Sequence, residues 1–376
     1  MVANYFKRIY TNFATNVIDI PPRLLALLCF LLLLIFPLTG PNVLLLYVLA
    51  YTNLIAIFAG SWDLLVGRVG QISLGHALFF GIGAYATALL YKFYQLPLWV
   101  TIPSAVFIGV LVSVAVGFPC VRVKGPYLAL VTMTFPLIFS SAILYFKEWT
   151  GGENGIAGLP SFFSIQFFVE RGFPYSAALY MQNVSQYYLT LLLLLVSGII
   201  IYKIANSKTG IVFVSILDDE SASKASGINT TKYKLMAFAI SACFASLSGA
   251  VFAHMLTAIG PSGTLSVTLS FTPIIMTVFG GIGTIYGAIA ATFIIQILDM
   301  YVLTDLVPIP LEWHPLIFIV IVIIFVIKWP RGIARFVVED VLKELSKERE
   351  IEERGKRIWK KYKKKKQEAT ESTPEG

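Results

Sequence analysis

Charge is scarce in this sequence: only 13% of its 376 residues are Asp, Glu, Lys or Arg, against roughly 25% in a water-soluble domain. That shortage excludes an ordinary soluble fold. Cysteine is scarcer still, and the three present, Cys29, Cys120 and Cys243, stand in or beside apolar stretches at no metal-like spacing. They read as free thiols packed as small hydrophobes, not as a disulfide framework or a zinc site. The three histidines, His76, His254 and His314, are isolated from one another, and a lone histidine in an apolar segment is first of all a helix-packing hydrogen-bonder. No GxxxxGK[ST] loop, no HExxH, no Ser/His/Asp set and no paired carboxylates within the apolar runs can be found. These absences remove a self-contained ATPase, a metalloprotease, a serine hydrolase and a proton or sodium relay from consideration, and no cofactor is implied. Any driving energy must come from other chains.

What is abundant is hydrocarbon. Hydrophobic residues make up 57% of the chain and its mean hydropathy is +0.78, which predicts an all-α protein that crosses a membrane many times. Apolar segments fall near residues 23–38, 43–60, 69–91, 97–119, 127–147, 186–205, 234–258, 266–280, 284–298 and 313–328. The first follows Arg23 but lacks a small-x-small cleavage site, since Pro37 and Leu-Thr-Gly-Pro come next, so it is expected to stay as a span. The stretch 266–298 reads as one tilted helix or as two short ones broken at Gly280, Gly281 and Gly283. Parity favours two, either full crossings or a re-entrant pair. With about ten transmembrane or half-membrane helices and both termini in the cytoplasm, all 29 Lys and Arg except Lys92, Lys147 and Arg171 lie inside, as the positive-inside rule requires. The net charge of +8 is therefore a topology signal and gives no reason to expect nucleic acid. Residues 1–22 form a cytoplasmic N-terminal segment, 23–330 the transmembrane domain, and 331–376 a charged helical tail whose basic end, Lys360 to Lys366, would be drawn to anionic lipid.

The chain is organised around 206–234, NSKTGIVFVSILDDESASKASGINTTKYK, the one long polar interval between apolar runs. It reads as a short cytoplasmic helix capped by Ser207 or Thr209 and ended by Gly227, which suits a left-handed turn. Asp218, Asp219 and Glu220 are followed by side chains no larger than serine, apart from Lys224, among them Ala222 and Ala225. Such a surface admits a partner closely.

Other candidates are small and polar. Gly75, Gly81 and Gly83 allow close helix approach within 70–85, and Gln71, Ser73 and His76 place polar groups near its inner end, either for helix packing or along a solute path. The glycine-rich cluster 150–160 offers Thr150, Gly152 and Asn154 either to a tight loop or to an outer docking or gating face. The break at Gly280, Gly281 and Gly283 has the same two readings.

Five blocks in order carry a family resemblance: GQISLGHALFFGIGAYATALL (70–90), RVKGPYLALVTMTF (122–135), TGGENGIAGLP (150–160), LDDESASKASGINTTKYKLMAFAISACFASLSGAVFA (217–253) and FGGIGTIYGAIAATFI (279–294), with WPRGI (329–333) after them. Together they resemble the integral-membrane permease subunits of ABC importers for branched-chain amino acids. The resemblance implies that the cytoplasmic helix is a coupling helix, with Asp219, Glu220, Ala222, Ala225 and Gly227 on the positions where relatives carry Asp, Glu, Ala, Ala and Gly. Leu217 and Lys224 stand where relatives usually carry Arg and Glu. It further implies two ATPase subunits, a second related permease subunit, an extracytoplasmic substrate-binding protein and a prokaryotic cell membrane. Relatives of this class also carry urea or short amides. A stand-alone channel or secondary carrier is the reading in which the polar interval is only a connector.

Overall fold

Val43–Val69, helix α1, runs through the middle of the bundle, and nearly every residue from Leu46 to Val69 is buried. The computed structural model describes residues 30–123 and 125–306, with scattered positions from 313 to 332. The chain forms two units. Of one, residues 1–36 with 334–376, only an apolar helical stretch from Phe30 is described; the other, Pro37–Ile333, carries everything below. The expected terminal segments 1–22 and 331–376, apart from Gly332, residues 23–29 of the first expected span and most of the expected span 313–328 lie outside the described residues.

After α1 come α2 (Ala77–Tyr94), α3 (Leu98–Cys120), α4 (Pro126–Tyr145) and α5 (Tyr175–Ala205). Two short helices follow, α6 (Lys208–Asp218) and α7 (Glu220–Ala225), then the long α8 (Thr230–Leu256) and the pair α9 (Val267–Gly280) and α10 (Tyr286–Ile297). Among the described residues seven helices are long and apolar enough to cross a membrane, α1 to α5, α8 and the run Pro261–Gly280 that ends in α9, and Phe30–Thr39 and Tyr286–Val302 are shorter apolar helices. The stretch 266–298 is two helices packed on each other, not one.

The packing is that of a membrane bundle, with large apolar side chains outward and small polar ones between helices. Trp99, Phe107, Leu111 and Phe118 of α3 and Tyr127, Leu130 and Leu137 of α4 are exposed. Inside, serines tie helices together by donating to backbone carbonyls: Ser241 to Ser61, Ser246 to Phe79 and Ser248 to Leu54 at 2.6 Å, 3.0 Å and 2.7 Å. Such bonds hold helices where no hydrophobic force does, because lipid is as apolar as the helices themselves. Gly83 of α2 lies against the backbone of Ser246, and Gly249 of α8 against that of Phe80, so closely that a Cβ at either position would collide.

One boundary differs from the sequence expectation. The apolar run was predicted to end near residue 60 and the next to start at 69; instead α1 continues to Val69, and residues 70–76 form a non-helical reversal. Ser-Trp-Asp at 61–63 reads as a polar exit, but each polar group has a partner inside the bundle. Ser61 donates to Phe58 O (2.7 Å), the Trp62 indole N–H to Ser73 O (2.8 Å), and the Asp63 carboxylate accepts from two backbone N–H groups. Helix α1 then stops at Gly70, whose left-handed φ of 73° lets its N–H return to the carbonyls of Leu65 and Val66.

Candidate functional site

The acidic interval folds as two helices. Ser207 caps α6 by accepting from Gly210 N at 3.4 Å. At Asp219 the backbone swings to an extended conformation (φ −154°, ψ 106°), and its Oδ1 accepts from the N–H groups of Ser221 (2.7 Å) and Ala222 (3.0 Å) to start α7. A carboxylate at a helix N-terminus satisfies orphan donors and meets the positive end of the dipole, which is why two acids in succession break the expected single helix. Ser223 donates to Ser215 O at 2.8 Å and folds α7 back onto α6. Gly227, at φ 83°, turns the chain toward α8, which Asn229 caps.

Asp218, Asp219, Ala222, Ala225 and Gly227 are exposed, and a side chain at Gly227 would meet nothing. Glu220 is different. Its carboxylate points back to the bundle, accepting from Lys234 (2.7 Å) and Thr230 (3.2 Å) of α8 and pairing with Lys224 at 2.8 Å. Partial burial raises its pKa, but the hydrogen bonds and charges of Lys224 and Lys234 outweigh that and bring it down to about 2. Lys224 is half-exposed and its pair contributes little; Lys234 is only 3% exposed, so Glu220 is the counter-charge of a buried ammonium. Leu217 lies over Gly70, at the end of α1. The acidic segment is thus fastened to α8 by a clasp and seated on α1 by an apolar contact.

The three polar candidates in 70–76 separate. Gln71, 7% exposed, lines a cavity of about 270 Å³ shared with Gly70, Leu128, Ile216, Glu220 and Lys234. Ser73 and His76 are packed into the core instead: the Ser73 carbonyl receives Trp62, and His76 Nε2 faces the hydroxyls of Ser61 (2.9 Å) and Ser241 (3.4 Å) between the rings of Phe58 and Phe79. Both hydroxyls already donate to carbonyls, so the Nε2 proton belongs to the histidine.

At the other end of α8 the glycine cluster is a tight structure. Thr150 Oγ1 lies 2.6 Å and 2.9 Å from the carbonyls of Ile143 and Phe146, and it accepts from the N–H of the buried Gly152. Asn154 is exposed at the tip. Ile156–Ala157 (β1) pairs antiparallel with Ala258–Ile259 (β2), in register Ile156 with Ile259. His254 Nδ1 donates to Pro160 O at 2.9 Å while its Nε2 faces the Thr87 hydroxyl at 2.8 Å.

The break between α9 and α10 is clamped from α1. Gly281 (φ 105°), Gly283 (φ 81°) and Ile285 (φ 56°, ψ −60°) all have positive φ. Ile285 centres a γ-turn closed by Tyr286 N to Thr284 O at 2.6 Å, a conformation that costs a β-branched residue on the order of 1–3 kcal/mol. Asp63 holds it, with Oδ1 accepting from Gly283 N (2.6 Å) and Oδ2 from Ile285 N (2.7 Å). Gly280 packs on the backbone of Gly287, and Gly67 on that of Gly283. Neither Asp63 nor Lys234 stands among the candidates drawn from sequence. Asp63 carried a usable signal, since an ionisable residue inside an apolar helix is a site hypothesis by default.

Among the described residues no group of three or more His, Cys, Asp or Glu could hold a metal ion. Comparison with known proteins adds the following. Residues 44–327 match the family described as the branched-chain amino acid transport system permease component. The high-affinity branched-chain amino acid transport system permease protein LivM of Salmonella typhimurium is 30% identical over 252 residues, 62% of this chain and 58% of that one, and LivM of Escherichia coli gives the same figures. LivH of Escherichia coli, a permease protein of the same description, is 24% identical over 257 residues, 65% of this chain and 80% of its own. The matched region thus spans little more than half the length of the LivM relatives. No solved structure matches the chain with significance.

Proposed function

The chain belongs to the family of branched-chain amino acid transport permease components, and from that premise we propose that it is the membrane-spanning, non-catalytic subunit of an ATP-driven importer for aliphatic amino acids. In this reading it lies in the cytoplasmic membrane of a prokaryote beside a second related permease, as LivM and LivH relatives both occur. Two ATPase subunits work it from the cytosol, an extracytoplasmic binding protein delivers the solute, and the basic tail meets anionic lipid.

The observation that carries the reading is the acidic segment: a small, exposed surface joined to the core helices by an ion pair and an apolar contact. Asp218, Asp219, Ala222, Ala225 and Gly227 offer an outward face with little side-chain bulk. A push on that face passes through Glu220 and Lys234 into α8 and through Leu217 into the end of α1. From α1 it reaches the α9–α10 turn through Asp63. Bistable packing can turn such a displacement into a switch between outward-open and inward-open states.

Placement of the loops supports the topology. Asp63, Gln71, Glu220, Lys234 and Gly283 cluster at one end of the bundle, which the ten-span reading makes cytosolic. Thr150, Asn154 and the β1–β2 ladder fall at the other, beside Lys92, whose ammonium donates to Trp149 O at 2.7 Å.

The test is uptake of labelled leucine by proteoliposomes holding the chain with its ATPase, second permease and binding-protein partners. Ala222→Trp should cut ATP-driven uptake by about tenfold or more while the melting temperature stays within a degree or two, because an exposed substitution costs about 0.5 kcal/mol or less. Unchanged uptake would contradict the coupling role.

A further inference from the structure

Helix α4 leaves the bundle along its length. Its buried residues, Leu128, Ala129, Thr132 and Pro136, all lie toward its start, and from Leu137 to Tyr145 none is buried. The gap this opens is a groove of about 370 Å³. One face of α2 from Gly81 to Tyr94 is its floor, with Ile108 and Val112 of α3 and Phe139 and Ile143 of α4 as walls. At about 1.5 Å per residue that floor is roughly 20 Å long. Its depth follows from α8: Ser248 donates to Leu54 O, near the middle of α1, and the next residue, Gly249, packs on the backbone of Phe80. Gly81 thus lies at mid-bundle and Tyr94 at the end that the proposed function makes extracytoplasmic. The groove covers the depth of one leaflet, about half of the ~30 Å hydrocarbon core with its interface.

Lining and size decide what can fill it. The Thr150 hydroxyl is spent on the carbonyls of Ile143 and Phe146, and that of Tyr85 is sealed out of reach, so the walls offer no partner to a polar solute. A helix about 10 Å wide and 20 Å long would take roughly 1,600 Å³, several times the space. A single hydrocarbon chain fits. At the mouth Lys92 joins floor to wall, its Nζ 5.6 Å from the Phe93 ring centroid and donating to Trp149 O at 2.7 Å. An ammonium has three N–H groups, so an acceptor from outside can be held there as well. Lys147 stands exposed beside Trp149, and the exposed acids Glu148 and Glu153 keep the rim from being a general anion trap. Tyr94, Tyr145 and Trp149 are exposed around it, the residue types of a membrane interface. We propose that the groove holds one acyl chain of a phospholipid from the extracytoplasmic leaflet, with the lipid phosphate on Lys92. The chain fills the space between α4 and the pair α2 and α3, and steadies the half of α4 that the bundle leaves uncovered. Only the choice of leaflet rests on the proposed function; the groove and its charge do not.

The test is native mass spectrometry of the full chain, delipidated in detergent and titrated with dioleoylphosphatidylglycerol, with dioleoylglycerol (no phosphate) and inorganic phosphate (no chain) as comparators. A single phospholipid should survive activation that strips the rest. Dioleoylglycerol, or the phospholipid on Lys92→Gln, should bind about tenfold more weakly, the loss of one charge-assisted hydrogen bond, and inorganic phosphate should not compete. Ala86→Trp fills the groove and should abolish retention, whereas Ile199→Trp, on the exposed face of α5, should leave it as in wild type. The surface change Lys92→Gln guards against a folding defect in the groove variant. Hydrogen exchange of 137–150 should slow when the lipid is bound. No retained lipid, full retention by Ala86→Trp, dioleoylglycerol equal to the phospholipid, or exchange unchanged at 137–150 each overturns the site. So does an assembled permease pair that shields a label on Ala86→Cys and carries no lipid, since protein then fills the groove. Leucine uptake by the reconstituted complex without a retained lipid sinks this site alone; a retained lipid without uptake sinks the transport reading alone.

Discussion

At the C-terminal end of α8 the chain is tied from several sides, whereas at its N-terminal end α7 is hydrogen-bonded to α8 through one carboxylate, Glu220. The glycine loop is held by the β1–β2 ladder, by Leu159 N to Thr257 O at 3.0 Å, by His254 on Pro160, and by Thr150 on the carbonyls of Ile143 in α4 and of Phe146 just after it. Within the acidic segment α6 is anchored by the buried Phe213, edge-on to Tyr233 of α8, and by Ile216, whereas α7 leans on Glu220 and the Ser223–Ser215 bond. The exposed α7 is the less heavily fastened of the two ends. Local opening follows the number of buried contacts, so the acidic end should respond first to a load or a mutation.

The comparison breaks most severely at Gly155. Its φ is 70° and a Cβ there would strike the carbonyl of Ile259. Gly155→Val should therefore cost about 4 kcal/mol or more, read as lost folded yield or a large fall in melting temperature in detergent. An unaltered melt would mean that the glycine loop is not the rigid end. Glu220→Gln comes next, because it leaves the Lys234 ammonium buried without its counter-charge, at about 3 kcal/mol. The loss should be local: hydrogen exchange of 208–229 should quicken while that of 150–160 stays as in wild type. Equal acceleration at both ends would erase the distinction.

Acid titration sharpens the same contrast with a smaller effect. The Glu220 carboxyl is depressed in the folded chain from 4.5 to about 2, so its contribution is fully present above the unfolded value and is lost as pH falls through the folded one. Cleavage by pepsin within 207–229 should rise as pH drops from 4.5 to about 2, and Glu220→Gln should flatten that rise. Among the described residues the glycine loop is held by no carboxylate clasp, so Glu220→Gln should leave its own response to acid unchanged.

The long apolar runs were legible because length and hydropathy alone specify a spanning helix. The polar joints were not, since their partners lie far away in sequence. Asp63 at the end of an apolar run looks like an exit to water until Gly283 and Ile285, some 220 residues on, supply its donors. That pairing is also why α1 outruns its predicted end. Two adjacent acids read as one docking face, yet Asp219 caps α7 and Glu220 turns inward to Lys234. Of the residues proposed near a solute path, Gln71 lines a cavity, the Ser73 hydroxyl accepts from Gly75 N–H, and His76 faces Ser61 and Ser241. Sequence spacing places the three on one stretch; it does not say which way each side chain turns.

The most direct test asks which side of the membrane α7 faces. In a chain whose three cysteines are replaced by serine, Ala222→Cys is treated with an impermeant maleimide in sealed vesicles of both orientations, with and without the ATPase subunits. Labelling is expected only where the cytosolic face is outward, with protection once the ATPases are bound. Labelling from the extracytoplasmic side would contradict it.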